Sequence, residues 1–166
     1  PKASLIRDVY EESLSLKKPA KIVADGGIRK YSDIIKALGL GADYVMVGGL
    51  FNKMLESSGK TYLWKRIPVN QHSDFACWLY KHDYKLYKKF RGMSTKEVQK
   101  ELGNKILKTS EGIVKYNLVK NDIDGWTKNF RHYLRSAMSY CGARTLGEFI
   151  GNADYNIIST NSYRRF

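Results

Sequence analysis

Two glycine-containing turns have the residue types and spacing that suit the binding of a phosphate. They follow the apolar runs 21–24 and 44–47, and they are Asp25-Gly26-Gly27 and Gly48-Gly49. Glycine has no side chain, so a ligand can approach the backbone, and bare amides at a strand end bind phosphate oxygens. Asp25 could also accept hydrogen bonds from a sugar diol. The pattern favours a nucleotide site, and the alternative is a pair of ordinary αβ turns.

The segments around these turns predict part of a parallel α/β sheet. Residues 4–17 and 31–40 place apolar side chains at helical spacing. The runs 21–24 and 44–47 are apolar apart from Lys21, which is typical of strands buried on both faces. Alternation of helix, strand and glycine turn indicates a parallel sheet, and two strands cannot complete one. In (β/α)₈ barrels the phosphate site commonly uses the loops after strands seven and eight.

The remainder of the chain has a different character. Residues 61–87 are aromatic, basic and irregular, and they predict an excursion such as a two-stranded finger. Residues 94–102 predict a short helix capped by Ser94, and residues 124–140 predict a long amphipathic helix. Residues 155–159 predict a last strand.

Bulk composition narrows the class of protein. The chain has 166 residues, a net charge of +13 and only two cysteines, and it contains no apolar run of the length a membrane span needs. We therefore expect a cytoplasmic protein with no membrane segment, no disulfide framework and no metal site. The positive charge admits nucleotides, nucleic acids and acidic proteins as partners.

Several short blocks resemble the IMP dehydrogenase/GMP reductase family, and they occur in the family's order. They are residues 23–28, 33–38, 41–49, 90–94, 110–112 and 134–143. The resemblance implies an α/β fold that is the C-terminal part of a (β/α)₈ TIM barrel, with its last two strands and helices plus C-terminal helices, incomplete alone. On that division the chain consists of the last βα units (1–60), an aromatic, basic finger or lid (61–89), and the active-site loop with the C-terminal helices (90–166).

The resemblance also implies roles for individual residues. Glu111 would be the catalytic acid/base carboxylate, and Asp25 would bind the ribose hydroxyls. The other contacts to GMP or IMP would come from Gly26, Gly27, Gly48, Gly49, Gly92, Met93, Ser94, Ser110 and Gly112. The dinucleotide cofactor would contact Met93, Lys108, Ser136 and Ser139.

Differences between the two branches of the family favour GMP reductase. Gly48-Gly49 stands where the dehydrogenases usually have Gly-Ser, and Ser94 stands where they usually have glycine. Residues 93–111 contain no Arg-Tyr pair, which the dehydrogenases use to activate water. The implied reaction converts GMP and NADPH into IMP, ammonia and NADP. The alternative is IMP dehydrogenase with NAD, and a monovalent cation is a further ligand that the resemblance admits.

The family's nucleophilic cysteine precedes the segment equivalent to residues 1–3, and neither Cys77 nor Cys141 matches it. We therefore expect an N-terminal half-barrel polypeptide that carries this cysteine, together with a purine nucleotide and a homo-oligomer such as a tetramer. The sequence leaves open a split-gene subunit, a fragment and a non-catalytic remnant. The alternative of another class is a basic protein that binds nucleic acid through residues 62–87.

Overall fold

The computed structural model describes residues 2–92, 95–103, 114–156 and 158–163. The chain divides into two compact units, Pro1–Met46 with Phe130–Phe166, and Val47–Asn129. The helices are α1 (Lys2–Ser13), α2 (Tyr31–Gly39), α3 (Asp74–Lys81), α4 (Lys96–Glu101), α5 (Ile123–Tyr140), α6 (Leu146–Phe149) and α7 (Thr160–Tyr163), with a 3₁₀ turn at Phe51–Lys53. The strands are β1 (Val23–Asp25), β2 (Tyr44–Met46), β3 (Thr61–Leu63), β4 (Ile67–Val69), β5 (Leu86–Arg91) and β6 (Val114–Leu118).

The first unit contains the parallel pair that the sequence predicts. β1 and β2 run parallel, with Ala24 opposite Val45. The carboxylate of Asp43 accepts the backbone N–H of Ile22 at 2.9 Å and the ammonium of Lys21 at 2.7 Å, which fixes the start of β2 beside the start of β1. The core beneath the strands is made by Ile6, Ala24, Ala37 and Ala42, with Ile22, Leu40 and Val45 packed against it.

The prediction that both strands are buried on both faces is wrong. Ala24 is buried, but Val23, Tyr44 and Met46 are 51%, 59% and 56% exposed. A two-stranded sheet has neighbours on few sides, so side chains that alternate to its far face have nothing to pack against. The strand type follows from the apolar runs, and the burial does not.

The second unit is built on an antiparallel sheet with the strand order β4-β3-β5-β6. Helix α3 begins after Ser73, whose hydroxyl accepts the N–H of Ala76 at 3.2 Å. The hydrophobic core of this unit is formed by Leu55, Leu63, Leu79, Leu86 and Val119, with Val69 and Tyr80 against it. The predicted two-stranded excursion therefore contains a helix and a third strand as well, and it shares a core with the residues on either side.

Smaller differences concern the ends of elements. Helix α4 is capped by Thr95, whose hydroxyl accepts the N–H of Val98 at 3.5 Å, and not by Ser94, which lies outside the described residues. Helix α5 ends where the sequence predicts. The last strand predicted at residues 155–159 is wrong, because the described residues there form no strand and α7 follows at Thr160–Tyr163. Strand β6 was not predicted.

None of the helices in the described part of the chain has the length and apolar character that crossing a membrane requires.

Candidate functional site

The first glycine turn adopts a conformation that glycine alone reaches without strain. β1 ends at Asp25, and Gly26 and Gly27 follow with φ of +80° and +73°. The ammonium of Lys2 donates to the carbonyl oxygen of Asp25 at 2.6 Å and to that of Gly26 as well. A positive charge therefore lies on this turn, and the Asp25 side chain remains exposed. Lys2 was not predicted, because a single lysine in a helix carries no signal for a contact with a turn 23 residues away.

The second glycine pair differs from the first. Neither Gly48 nor Gly49 has a positive φ, and a Cβ added at either would have no heavy atom of the described residues within 4 Å. The backbone conformation therefore does not require glycine at these two positions. Open space beside a bare backbone is what close approach of a ligand requires.

A cavity of about 590 Å³ lies beside this second pair, entirely within the second unit. Its cationic side chains are Lys60, Lys89 and Arg91, and Ser57 and Ser58 line it as well. Arg91 pairs with Glu101 at 2.5 Å, and its hydrogen bond holds the pKa of Glu101 below the usual value. The full lining is Gly48, Phe51, Asn52, Ser57, Ser58, Gly59, Lys60, Lys89, Phe90 and Arg91. Cations and hydroxyls on one wall suit an anionic ligand.

A buried lysine of β5, Lys88, contacts the segment that lines this cavity. Three consecutive residues of β5, Lys89, Phe90 and Arg91, line the cavity, whereas Lys88 does not line it and is 0% exposed. The Lys88 ammonium donates to the carbonyl oxygen of Ser57 at 2.8 Å. Burial lowers its pKa from 10.5 to about 8, against the opposing charge of Glu56.

Gly59 fits this wall only as glycine. A Cβ at Gly59 would lie 2.9 Å from the carbonyl oxygen of Lys89, and the N–H of Lys89 in turn donates to the carbonyl oxygen of Lys60 at 2.9 Å. The segment therefore packs backbone against backbone along β5. The Ser57 hydroxyl, two residues earlier, donates to the carbonyl oxygen of Asn52 at 3.2 Å.

A second cavity, of about 310 Å³, lies in the first unit at the end of α5. Its lining residues are Arg135, Met138, Ser139, Gly142, Ala143 and Arg144. The helix ends with Gly142 at φ +69°, and the N–H of Ala143 donates to the carbonyl oxygen of Met138 at 2.9 Å. Ser139 thereby lines the same cavity as Arg135 and Arg144, neither of which the sequence predicts as a ligand contact. Ser136 instead donates its hydroxyl to the carbonyl oxygen of His132 at 3.1 Å.

The remaining site residues predicted from the sequence lie outside both cavities or outside the described residues. Gly92 follows β5 and accepts hydrogen bonds from the N–H and the hydroxyl of Thr95, at 3.1 and 2.9 Å. Cys77 and Cys141 are exposed, free thiols. The described residues contain no group of three or more His, Cys, Asp or Glu side chains suited to a metal ion. The residues that lie outside the described part of the chain are Met93, Ser94, Lys108, Ser110, Glu111 and Gly112.

Comparison with known proteins identifies the family. The family model described as "IMP dehydrogenase / GMP reductase domain" matches residues 1–165. A GMP reductase of Helicobacter pylori is 33% identical over 147 residues, which cover 89% of this chain and 37% of the relative. A GMP reductase of Caenorhabditis elegans is 30% identical over 136 residues, covering 81% and 33%, and one of Bacillus subtilis is 31% identical over 146 residues, covering 86% and 36%. The chain thus spans about a third of the length of these curated relatives. It belongs to the IMP dehydrogenase/GMP reductase family.

Proposed function

We propose that this chain supplies the nucleotide-binding part of a GMP reductase, which converts GMP and NADPH into IMP, ammonia and NADP. The observation that carries the proposal is the cationic cavity beside Gly48 in a chain whose similar relatives are GMP reductases. A purine 5′-monophosphate has a dianionic phosphate that such a cavity can bind.

The phosphate is assigned to the cavity wall on electrostatic grounds. Lys60 and Lys89 supply positive charge beside the ion pair of Arg91 with Glu101, and the hydroxyl of Ser58 is proposed as a neutral donor. Charge-assisted hydrogen bonds of this kind are stronger than bonds between neutral groups. The backbone of Gly48 and Gly49 is assigned to the phosphate oxygens, since open space lies beside it.

The first glycine turn is assigned to the same class of ligand. Asp25 is proposed to accept hydrogen bonds from the ribose hydroxyls, because its carboxylate is exposed at the end of β1. The amides of Gly26 and Gly27 are proposed to donate to a phosphate group, and the Lys2 ammonium adds positive charge at this turn.

The cofactor is proposed to be NADPH, which supplies the hydride that replaces the amino group at C2 of the purine. The cavity at the end of α5 fits an anionic group of this cofactor, because Arg135 and Arg144 both line it beside Ser139. Two guanidinium groups can each bind a phosphate in a bidentate manner. The 2′-phosphate, which distinguishes NADPH from NADH, is the group that we assign to them. Lys108, Met93 and Ser136 remain further proposed contacts of the dinucleotide.

The chemistry at C2 requires groups with two different tasks. Glu111 is proposed to move the protons that the departing amine needs, with Ser110 and Gly112 beside it, and Gly92, Met93 and Ser94 are proposed to line the purine. The nucleophilic cysteine is proposed to come from the part of the barrel that precedes this chain's segment in the family. Cys77 and Cys141 are not assigned to that task.

The remaining strands of the barrel are the partner that we propose for the exposed faces of β1 and β2. Val23, Tyr44 and Met46 are each more than half exposed, and the helix α1 presents Leu5 at 61% exposure. Parallel sheets are normally covered on both faces. We further propose that the protein assembles into a homo-oligomer such as a tetramer. We also propose that it works in the reducing cytoplasm, where free thiols such as those of Cys77 and Cys141 persist.

Product analysis of the assembled barrel tests this function. The assay follows NADPH absorbance with GMP and identifies IMP and ammonia, beside a second reaction that follows reduction of NAD with IMP. We expect NADPH consumption with stoichiometric IMP. Turnover in the IMP-plus-NAD direction alone would assign the chain to the dehydrogenases, and no turnover in either would identify a non-catalytic relative.

A further inference from the structure

We propose that an exposed aromatic and basic surface on the second unit binds single-stranded nucleic acid, a function beyond the proposed reductase activity. The surface, here called the aromatic surface, comprises Trp64, Lys65, Phe75, Trp78, His82 and Tyr84. None of these residues lines the cavity assigned to the nucleotide.

The rings of the aromatic surface form a continuous series. Phe75 and Trp78 are nearly parallel, with an interplanar angle of 7° and centroids 6.2 Å apart. His82 stacks on Trp78 at 4.3 Å, and Tyr84 lies 5.7 Å from Trp78. Trp64 continues the series at 6.4 Å from Tyr84. A row of adjacent, exposed aromatic side chains is the kind of surface on which unpaired bases stack.

The large aromatic side chains of this surface are unusually exposed to solvent. Trp64 and Phe75 are 56% and 57% exposed, and Trp78 is 47% exposed. Side chains of this kind usually bury most of their area, and an exposed apolar patch of contiguous residues marks an interaction site. The third tryptophan, Trp126, is 6% exposed.

The turn that presents Trp64 is held in a costly conformation. Trp64 and Lys65 have φ of +50° and +64°, in the left-handed region that bulky residues rarely adopt. The N–H of Trp64 donates to the carbonyl oxygen of Lys85 at 3.1 Å, which ties the turn to the segment carrying Tyr84. Strained backbone of this kind is concentrated at functional sites.

The aromatic surface rests on a packed core and is therefore preorganised. On the inner side of α3, Ala76 and Leu79 are 0% and 2% exposed, and Leu86 of the adjacent strand is 1% exposed. Rings fixed on such a base lose little conformational freedom when a ligand stacks on them.

Charge selects a nucleic acid over other occupants. The ammonium of Lys65 lies 4.9 Å from the ring centroid of Tyr87. Three further cationic side chains nearby in sequence are exposed, namely Arg66, Lys81 and Lys85. The same segment, residues 61–89, contains only two acidic residues, Asp74 and Asp83. A second copy of this chain would bring the same positive surface and a net charge of +13, so like charges would oppose a symmetric contact. A polyanion with exposed bases satisfies both the charges and the rings.

Fluorescence anisotropy with the full chain tests the proposal. Labelled oligo(U) and oligo(dT) of about 15 nucleotides cover the range of site sizes that stacking surfaces use. Trp64→Ala and Trp78→Ala are compared with Tyr140→Ala, which removes a ring that is 92% exposed at the end of α5. Lys81→Ser is compared with Lys17→Ser, because both lysines are exposed. Circular dichroism checks that each variant keeps its secondary structure.

We expect saturable, salt-dependent binding of a single strand, with affinity reduced about tenfold or more by either tryptophan substitution and unchanged by Tyr140→Ala. Lys81→Ser should reduce the slope of log affinity against log salt concentration by about one, because one phosphate contact is lost. Lys17→Ser should leave this slope unchanged. Comparison of the affinities for oligo(U) and oligo(dT) shows whether the surface prefers RNA or DNA.

A measurement on the unmodified chain guards against misfolded variants. Binding of unlabelled oligo(U) should quench the emission of the exposed Trp64 and Trp78 and leave that of the buried Trp126. Three results would each overturn the proposal. They are unchanged tryptophan emission at saturation, equal affinity of the tryptophan variants and the unmodified chain for the single strand, and equal affinity of the unmodified chain for a duplex and for the single strand. A chain dimer that the tryptophan substitutions dissociate while nucleic acid fails to bind would overturn it as well.

Discussion

The ammonium of Lys88 donates a hydrogen bond to the carbonyl oxygen of Ser57 at 2.8 Å, and the donating side chain is 0% exposed. The contact joins β5 to the segment that carries Ser57, Ser58 and Gly59, which line the cationic cavity. A buried ammonium is costly unless it is paired or hydrogen-bonded. The cavity wall therefore depends on a charge that is itself outside the cavity.

Replacing Lys88 by methionine should change how stability depends on pH. The pKa of Lys88 is about 8 in the folded protein against 10.5 when unperturbed, so the unfolded state binds more protons between these values. The free energy of unfolding should therefore rise as pH increases from about 8 to 10.5, by up to about 3 kcal/mol. In Lys88→Met this rise should be absent.

Urea unfolding of the assembled protein at several pH values measures this difference. Lys17→Met is the control, because Lys17 is exposed and its removal should leave the rise intact. Parallel pH profiles for the unmodified protein and Lys88→Met would contradict the assignment of the buried charge.

Substitutions at the two glycine pairs should separate ligand binding from folding. Gly49→Val should abolish GMP binding and leave stability nearly unchanged, because the added side chain enters space that is open to the ligand. Gly26→Ala should lower the free energy of unfolding by about 1 kcal/mol or more, because its φ is +80°. Calorimetric titration with GMP and urea unfolding are run on both variants. An unchanged GMP affinity in Gly49→Val would exclude the phosphate from this position.

Removing an arginine from the cavity at the end of α5 should affect the choice of cofactor. Arg144→Ser should raise the KM for NADPH by about tenfold, since a lost charge-assisted contact costs on the order of 1.5–3 kcal/mol. The KM for NADH should change far less, because NADH lacks the 2′-phosphate. Arg131→Ser, an exposed arginine of α5 outside this cavity, is the control. Equal losses with both cofactors would place the 2′-phosphate elsewhere.

Glu111→Gln should slow turnover by about 10²–10⁴ with little change in nucleotide affinity, because glutamine keeps the size of the side chain and loses the acid/base function. Cys77→Ser and Cys141→Ser should leave turnover nearly intact. Steady-state rates and GMP affinities of the three variants check this prediction. A large rate loss in either cysteine variant would contradict the proposal that the nucleophile comes from elsewhere in the barrel.

The sequence predicts those parts of the fold that depend on local pattern. The helix α5 and the parallel pairing of β1 with β2 follow from apolar spacing, and the positive φ of Gly26 follows from a glycine turn. The exposure of Val23 and Met46 does not follow, because burial depends on what covers a sheet and not on the strand itself.

The candidate site shows the same division. Gly48 was predicted from its type, but the Lys2 contact with the Asp25 carbonyl joins residues far apart in the chain. Lys88 and Lys89 are identical neighbours in the sequence, yet Lys88 is buried and Lys89 lines the cavity, a difference that residue type alone does not predict.

The central claim, that this chain binds a purine nucleotide through its 5′-phosphate, is tested most directly by calorimetric titration of the assembled protein with GMP and with guanosine. Loss of the phosphate removes several charge-assisted contacts, so we expect guanosine to bind at least ~100-fold more weakly than GMP. Lys89→Ala should reduce the affinity for GMP and leave that for guanosine unchanged. Equal affinity for GMP and guanosine would contradict the assignment of the cavity and of the glycine turns to phosphate binding.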